Sequence, residues 1–168
     1  MTSLQGNSAP SLEQQLQQAL LRLRELENID AIRRLHARYC RAMDNKDLAG
    51  LSSVYARDAH LIVTPWQVDV RGHDAVIDFY RQFFTGPAED DRHHCVNQII
   101  EKHGDGYRSY AYFHATEVQG SKSIIGWGLY EDILSCENGD WKIQERRITI
   151  QVLTPIENGW AGPKKIDY

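Results

Sequence analysis

Two adjacent histidines lie in the stretch Asp91-Arg92-His93-His94-Cys95-Val96-Asn97-Gln98-Ile99-Ile100. An imidazole titrates near neutral pH, so either could act as a base toward a carbon-bound proton. Val96, Ile99 and Ile100 are β-formers and the stretch closes on Gly104-Asp105-Gly106, which predicts a strand. Side chains alternate along a strand, so His93, Cys95 and Asn97 share one face and His94, Val96 and Gln98 the other. The two histidines therefore cannot converge on one metal or one substrate, and the stretch by itself leaves the choice open. The remaining histidines, His36, His60, His73, His103 and His114, show no ligand spacing, so no metal is expected. The three cysteines, Cys40, Cys95 and Cys136, are odd in number, far apart and without a C-x-x-C pair. They predict reduced thiols in a cytoplasmic protein.

The chain has 168 residues, 42% of them apolar, and a formal net charge of −4. That length suits one domain with a sizeable core. The acidic balance and scattered basic residues exclude a nucleic-acid or anionic-membrane surface as the first expectation. No apolar run approaches the ~20 residues of a membrane span, and Met1–Pro10 lacks the apolar core of a signal peptide. Met1–Pro10 is expected to be disordered, 11–27 to form a helical extension and 28–168 the domain proper.

The elements that would position the histidines are read in order. Ser11 is a plausible N-cap with Gln14 as its capping-box partner. Leu12, Leu16, Ala19, Leu23 and Leu26 follow at helical spacing as a single seam. That seam lies either on its own domain or against another subunit. Asn28 to Met43 is a second helix or a continuation, with Ile29, Ile32, Leu35, Tyr39 and Met43 as its buried stripe. Asn45-Lys46-Asp47 breaks it before a short helix over 48–56. Short strands are expected over 59–63 and 67–70, around Thr64-Pro65-Trp66. Gly72-His73-Asp74 leads into a helix carrying Val76, Phe79, Tyr80 and Phe83. Three longer strands are expected over 93–103, 107–119 and 123–136, and a fourth over 141–153. Short links imply antiparallel neighbours, and helices followed by a long curved sheet make an α+β layout. There is no internal repeat and no Gly-rich phosphate loop.

On the last strand Ile148, Ile150 and Val152 share one face; Arg147, Thr149, Gln151 and Leu153 share the other. If the mixed face lines a cavity, the apolar stripe is the outer face of the sheet and marks an interface.

Four stretches carry a resemblance: Ala37-Arg38-Tyr39-Cys40-Arg41-Ala42-Met43-Asp44-Asn45-Lys46-Asp47; Leu51 to Tyr55 before Asp58-Ala59; Gly72-His73-Asp74-Ala75-Val76-Ile77-Asp78-Phe79-Tyr80; and Arg92-His93-His94-Cys95-Val96-Asn97. Together they resemble the SnoaL-like branch of the NTF2-like superfamily, nearest the scytalone dehydratase, bile-acid 7α-dehydratase and hexachlorocyclohexane dehydrochlorinase group. The resemblance covers roughly residues 12–160. It implies a cone-shaped α+β barrel, a curved antiparallel sheet wrapped around helices, with a pocket in the open end. In those lyases an Asp ends the first core helix and a His opens the first long strand. Asp44 matches that Asp. His93 matches the His, four residues before Asn97, and His94 then faces away. Tyr39 matches a Tyr five residues before the Asp. Gln151 stands where the dehydrochlorinase has a pocket Arg, and Phe113 stands near where other dehydratases place a second His or Asp.

The implied activity is a cofactor-independent lyase, a dehydratase or related isomerase, acting on a small hydrophobic cyclic molecule. His93 would be the base, Asp44 would hold its tautomer, and Tyr39 would donate to the leaving or enolate-like oxygen. Trp66, Phe113, Trp127 and Leu129 would form the apolar wall. The scaffold also hosts a non-catalytic subunit, like the β-subunit of aromatic-ring dioxygenases, and ligand-binding or polyketide-cyclase-type proteins. The relatives imply a homo-oligomer, a trimer first, with Ile148, Ile150 and Val152 at the contacts.

Overall fold

The computed structural model describes residues 10–161; the disorder expected over 1–9 lies outside them. Helix α1 runs Leu12–Asp44 without a break, so the two expected helical stretches are one helix of 33 residues, about 50 Å long at 1.5 Å per residue. Ser11 caps it, accepting from the Gln14 amide while the Gln14 side chain accepts from the Ser11 amide. Its first half stands clear of the domain: Leu12, Leu16, Leu20, Leu21, Leu23 and Leu26 are exposed. The seam therefore does not lie on its own domain. Burial begins at Ile32 and takes in Leu35, Tyr39 and Met43.

The end of α1 is built by three side chains. Asn45 donates its side-chain amide to the Arg41 carbonyl (2.7 Å), Lys46 turns into positive φ, and Asp47 caps helix α2 (Leu48–Val54) by accepting from the Gly50 amide (2.9 Å). Asp44 is thus held at a sharp helix terminus. Tyr55 opens a strand rather than continuing α2. After it come β1 (Tyr55–Thr64), β2 (Val68–Arg71), helix α3 (His73–Phe83), β3 (Asp90–His103), β4 (Gly106–Gln119), β5 (Lys122–Glu137), β6 (Asp140–Pro155) and a 3-10 turn at Ile156–Asn158.

The six strands form one curved, unclosed sheet in the order β2-β1-β6-β5-β4-β3. All neighbours are antiparallel except β1 and β6, which run parallel. That pair corrects the wholly antiparallel expectation; helix α3 and four strands intervene between the two, long enough for a crossover connection. α1 and α3 pack into the concave side, and the core fills the space between.

Bulges in β3 and β6 decide which side chains line the cavity. In β3 the ladder slips between Val96 and Ile99, where Asn97 takes φ 54°, a left-handed conformation that asparagine tolerates. His93 and Cys95 are half-buried before it and Gln98 and Ile100 after it, while Asn97 is exposed. In β6 the ladder slips opposite Trp127 and Gly128, and Gln151 is the residue left out. Ile148 and Ile150 are buried on the concave side, and after the slip Leu153 is too. The apolar stripe is therefore interior for Ile148 and Ile150, which overturns their expected place on the outer face. Of the mixed face, Leu153 alone reaches the cavity.

Candidate active site at a helix end and a strand start

Asp44 and His93 meet where α1 ends and β3 begins. Asp44 Oδ1 accepts from the His93 backbone amide (2.9 Å) and lies 2.9 Å from His93 Nδ1. One carboxylate oxygen thus fixes both the backbone and the ring of the same residue. With Nδ1 engaged as donor, Nε2 is the nitrogen left for the cavity that His93 lines. Both side chains are mostly enclosed, at 11% and 19% exposure. His94 is exposed on the opposite face, opposite His114 in the ladder.

The cavity lies between α1, α3 and the sheet. It is apolar: Met43, Val63, Phe79, Phe83, Ile148 and Ile150 are among its walls. Trp66 and Phe113 line it as expected from sequence. Phe113 stacks on Tyr130 (4.8 Å between centroids) and covers Gly128, where a Cβ would stand 2.6 Å from its ring. Trp127 and Leu129 do not line it. They share the outer parity of β5, whereas Gly126, Gly128 and Tyr130 take the inner one. The two glycines on the concave face leave room for Leu153 and Phe113. Trp127 packs edge-on against Trp160 instead (5.7 Å). Gln151, bulged out, and Asn97, exposed, also lie off the cavity. The cavity opens, past Trp66, Phe83, Glu117 and Leu153, into an outer groove bordered by Thr85–Ala88. The groove has a volume of about 500 Å³.

Tyr39 is buried and reaches the cavity. Its hydroxyl lies 3.2 Å from the Tyr80 hydroxyl, which lies 2.6 Å from that of Tyr55. The Arg146 guanidinium sits over the Tyr39 ring at 3.9 Å and over Tyr130 at 4.6 Å. Burial pushes the Tyr39 hydroxyl above its ordinary pKa despite Arg146, so it is a neutral donor at pH 7. Arg146 is fully buried and doubly bonded to Asp132 (2.8 and 2.7 Å). Asp132 also lies 3.0 Å from His36 Nε2. Burial would raise the Asp132 carboxyl, but Arg146 and His36 hold it well below the carboxylate range. Burial would lower His36, but its bonds to Asp132 and Cys95 raise it.

Sequence reasoning missed Arg146, Asp132, His36 and Glu117. Glu117 carried a usable signal: it has the parity of Phe113. Arg146 carried one too, two residues before Ile148. Among the described residues no group of three His, Cys, Asp or Glu is arranged to hold a metal, and no helix is long and apolar enough to cross a membrane.

Comparison with known proteins gives the family. A SnoaL-like domain model matches residues 24–147. A provisional scytalone dehydratase from Novosphingobium aromaticivorans superposes with a TM-score of 0.71 at 20% identity, over 78% of this chain and 89% of that one. A type-3 hexachlorocyclohexane dehydrochlorinase from Novosphingobium barchaimii gives 0.71 at 20%, over 87% and 99%. A provisional aromatic-ring hydroxylase from Novosphingobium aromaticivorans gives 0.70 at 20%, over 77% and 94%. At such identities these likenesses speak to the fold. No curated protein matches the chain.

Proposed function

This chain belongs to the SnoaL-like domain family, with its NTF2-like fold, and on that premise we propose that it is a cofactor-independent lyase, a dehydratase or related isomerase. The observation that carries the reading is the double hold of Asp44 on His93, beside an apolar cavity. A base for a carbon-bound proton needs a lone pair aimed at the substrate and a means to tolerate the cation it becomes. The carboxylate at Nδ1 provides the second and fixes the tautomer that provides the first. Tyr39, backed by Tyr80 and Tyr55, donates to the carbonyl or enolate oxygen as charge develops there. The apolar walls favour a small cyclic molecule, and their water exclusion strengthens each of these contacts. Its free thiols fit a cytoplasmic setting.

The test needs no knowledge of the natural substrate. Indan-1-one carries acidic protons beside a carbonyl and is small and apolar. Incubated in D2O with the protein, it should exchange those protons faster than in buffer, read by proton NMR. His93→Asn should remove the acceleration. Exchange that persists in His93→Asn, or none with the wild type, would overturn the reading.

A second reading rests on the outer sheet face. Val96 lies opposite Tyr112 and Ile99 opposite Tyr110, and all four are exposed. An apolar patch of this kind suits a partner chain. On that reading the protein is a non-catalytic subunit, and it should co-purify in fixed ratio with a catalytic chain while failing the exchange test.

A further inference from the structure

We propose that Glu117 is the acid of this site, protonating the oxygen that leaves, so that the substrate is a neutral apolar alcohol with its hydroxyl β to a carbonyl. The inference rests on the lyase reading and deepens it. Phe113, Ala115 and Glu117 are successive inward positions on β4, and Glu117 lines both the inner cavity and the outer groove. Tyrosines aside, Glu117 and His93 are the titratable side chains that the described residues bring to the two spaces, and among the described residues no Lys or Arg lines either. A carboxylate or phosphate on the substrate would find no Lys or Arg counter-charge among these described residues. His93 pairs with Ala115 across the ladder, and Glu117 with Asp91. Glu117 is thus the diagonal neighbour of His93, at a Cβ separation of roughly 7–8 Å or somewhat less. Two groups so spaced can reach adjacent atoms of one small molecule.

Glu117 Oε2 accepts from Gln119 Nε2 (2.9 Å). Burial keeps the Glu117 carboxyl above the ordinary carboxylate range. The Gln119 bond and His93 pull it down, and the charge of Asp91 pushes it up. Asp91, 3% exposed, has Oδ1 without a hydrogen-bond partner and is raised by its own burial, with His93 and Lys46 opposing and Asp44 and Asp90 adding. Three carboxyls around one imidazole favour keeping a proton on one of them.

The step balances within the site. His93 Nε2 takes the proton beside the carbonyl, and the C–H electron pair forms the new double bond. The C–O bond breaks with its pair on oxygen, and Glu117 supplies the proton that lets it leave as water. The proton on His93 then returns to the Glu117 carboxylate. A halide leaves without a proton, so it needs His93 and Asp44 far more than Glu117.

The experiment compares 3-hydroxyindan-1-one with 3-chloroindan-1-one, both giving indenone, followed by absorbance. Glu117→Gln should lower kcat/KM for the hydroxy compound on the order of 10²-fold or more. The preference for chloride over hydroxide as leaving group should rise by at least ~30-fold, the same comparison seen through the ratio of the two rates. Glu117→Asp should recover part of the loss. His93→Asn should lower both rates and leave the ratio near that of the wild type. Equal loss on both compounds in Glu117→Gln overturns the assignment of Glu117 alone. A wild type that eliminates neither compound overturns the lyase reading, and this inference with it.

Discussion

Asp44 Oδ1 binds His93 twice, at the backbone amide and at ring Nδ1, each at 2.9 Å. The backbone bond places the start of β3 on the end of α1, and the ring bond sets the tautomer. One oxygen thus couples the fold to the chemistry.

Asp44→Asn should keep the backbone contact through its amide oxygen and lose control of the ring. Proton exchange on indan-1-one should fall on the order of 10²–10⁴-fold, and nitrogen NMR of His93 should change from one tautomer to a mixture. The double variant Asp44→Asn with His93→Asn should be little worse than His93→Asn alone, because the two act as a unit. His94→Ala should stay near wild type. The reverse ranking of the histidines would sink the assignment.

The helices and the strand count were legible because apolar period and turn residues specify them locally, whereas the meeting of a helix end with a strand start was implied by the family resemblance alone. The inward-facing set was less legible. Period-2 reading assumes unbroken alternation, and Asn97 and Gln151 sit where bulges break it. A bulge is a property of two paired strands, so one strand's pattern does not carry it. Trp127 and Leu129 were read as wall because they are apolar and share one strand parity. Gly126 and Gly128, of the opposite parity, hold the inner positions instead, where Leu153 and Phe113 fill the space. The two isoleucines of β6 looked like an interface only because their mixed neighbours looked like a cavity.

Buried charge should dominate stability. Removing one partner of a buried ion pair leaves the other uncompensated, so Asp132→Asn, which strands Arg146, should cost about 3–5 kcal/mol in urea unfolding. The Asp132 carboxyl is depressed by Arg146 against its burial, so its contribution is present above the unfolded carboxylate pKa and is lost as pH falls toward the folded value. His36 is raised by Asp132 and Cys95 against its own burial, so its contribution is full below about 6.5 and fades as pH rises through the folded value. The stability gap between wild type and His36→Gln should therefore narrow from pH 5.5 to pH 8.5. A gap that widens would contradict the pairing.

Tyr80 is the hub of the hydroxyl chain, bonded to both Tyr39 and Tyr55. Tyr80→Phe should cost about 1–3 kcal/mol, because two buried hydroxyls lose a shared partner. Tyr39→Phe should lower proton exchange more than Tyr80→Phe does, since Tyr39 is the member proposed to meet the substrate. Equal exchange rates in wild type and Tyr39→Phe would remove Tyr39 from the mechanism.

The last expectation is a homo-oligomer, with a trimer first by resemblance, and the structure moves its surface. Ile148 and Ile150 are interior, so Ile150→Asp should unfold the chain rather than dissociate it. Exposed apolar positions include Val96, Ile99, Tyr110 and Tyr112, which face one another across β3 and β4, and the leucines of the free half of α1. Each such side chain fully buried is worth roughly 1.5–3 kcal/mol before association costs. A charge placed among them has to be buried without a partner if the contact is kept, whereas it costs little in a monomer. Ile99→Asp should therefore leave the far-ultraviolet spectrum and melting of the subunit intact while lowering the mass in light scattering to that of one chain, 19.3 kDa. A wild type already at that mass, or an Asp variant with the wild-type assembly, would remove this face from the contact.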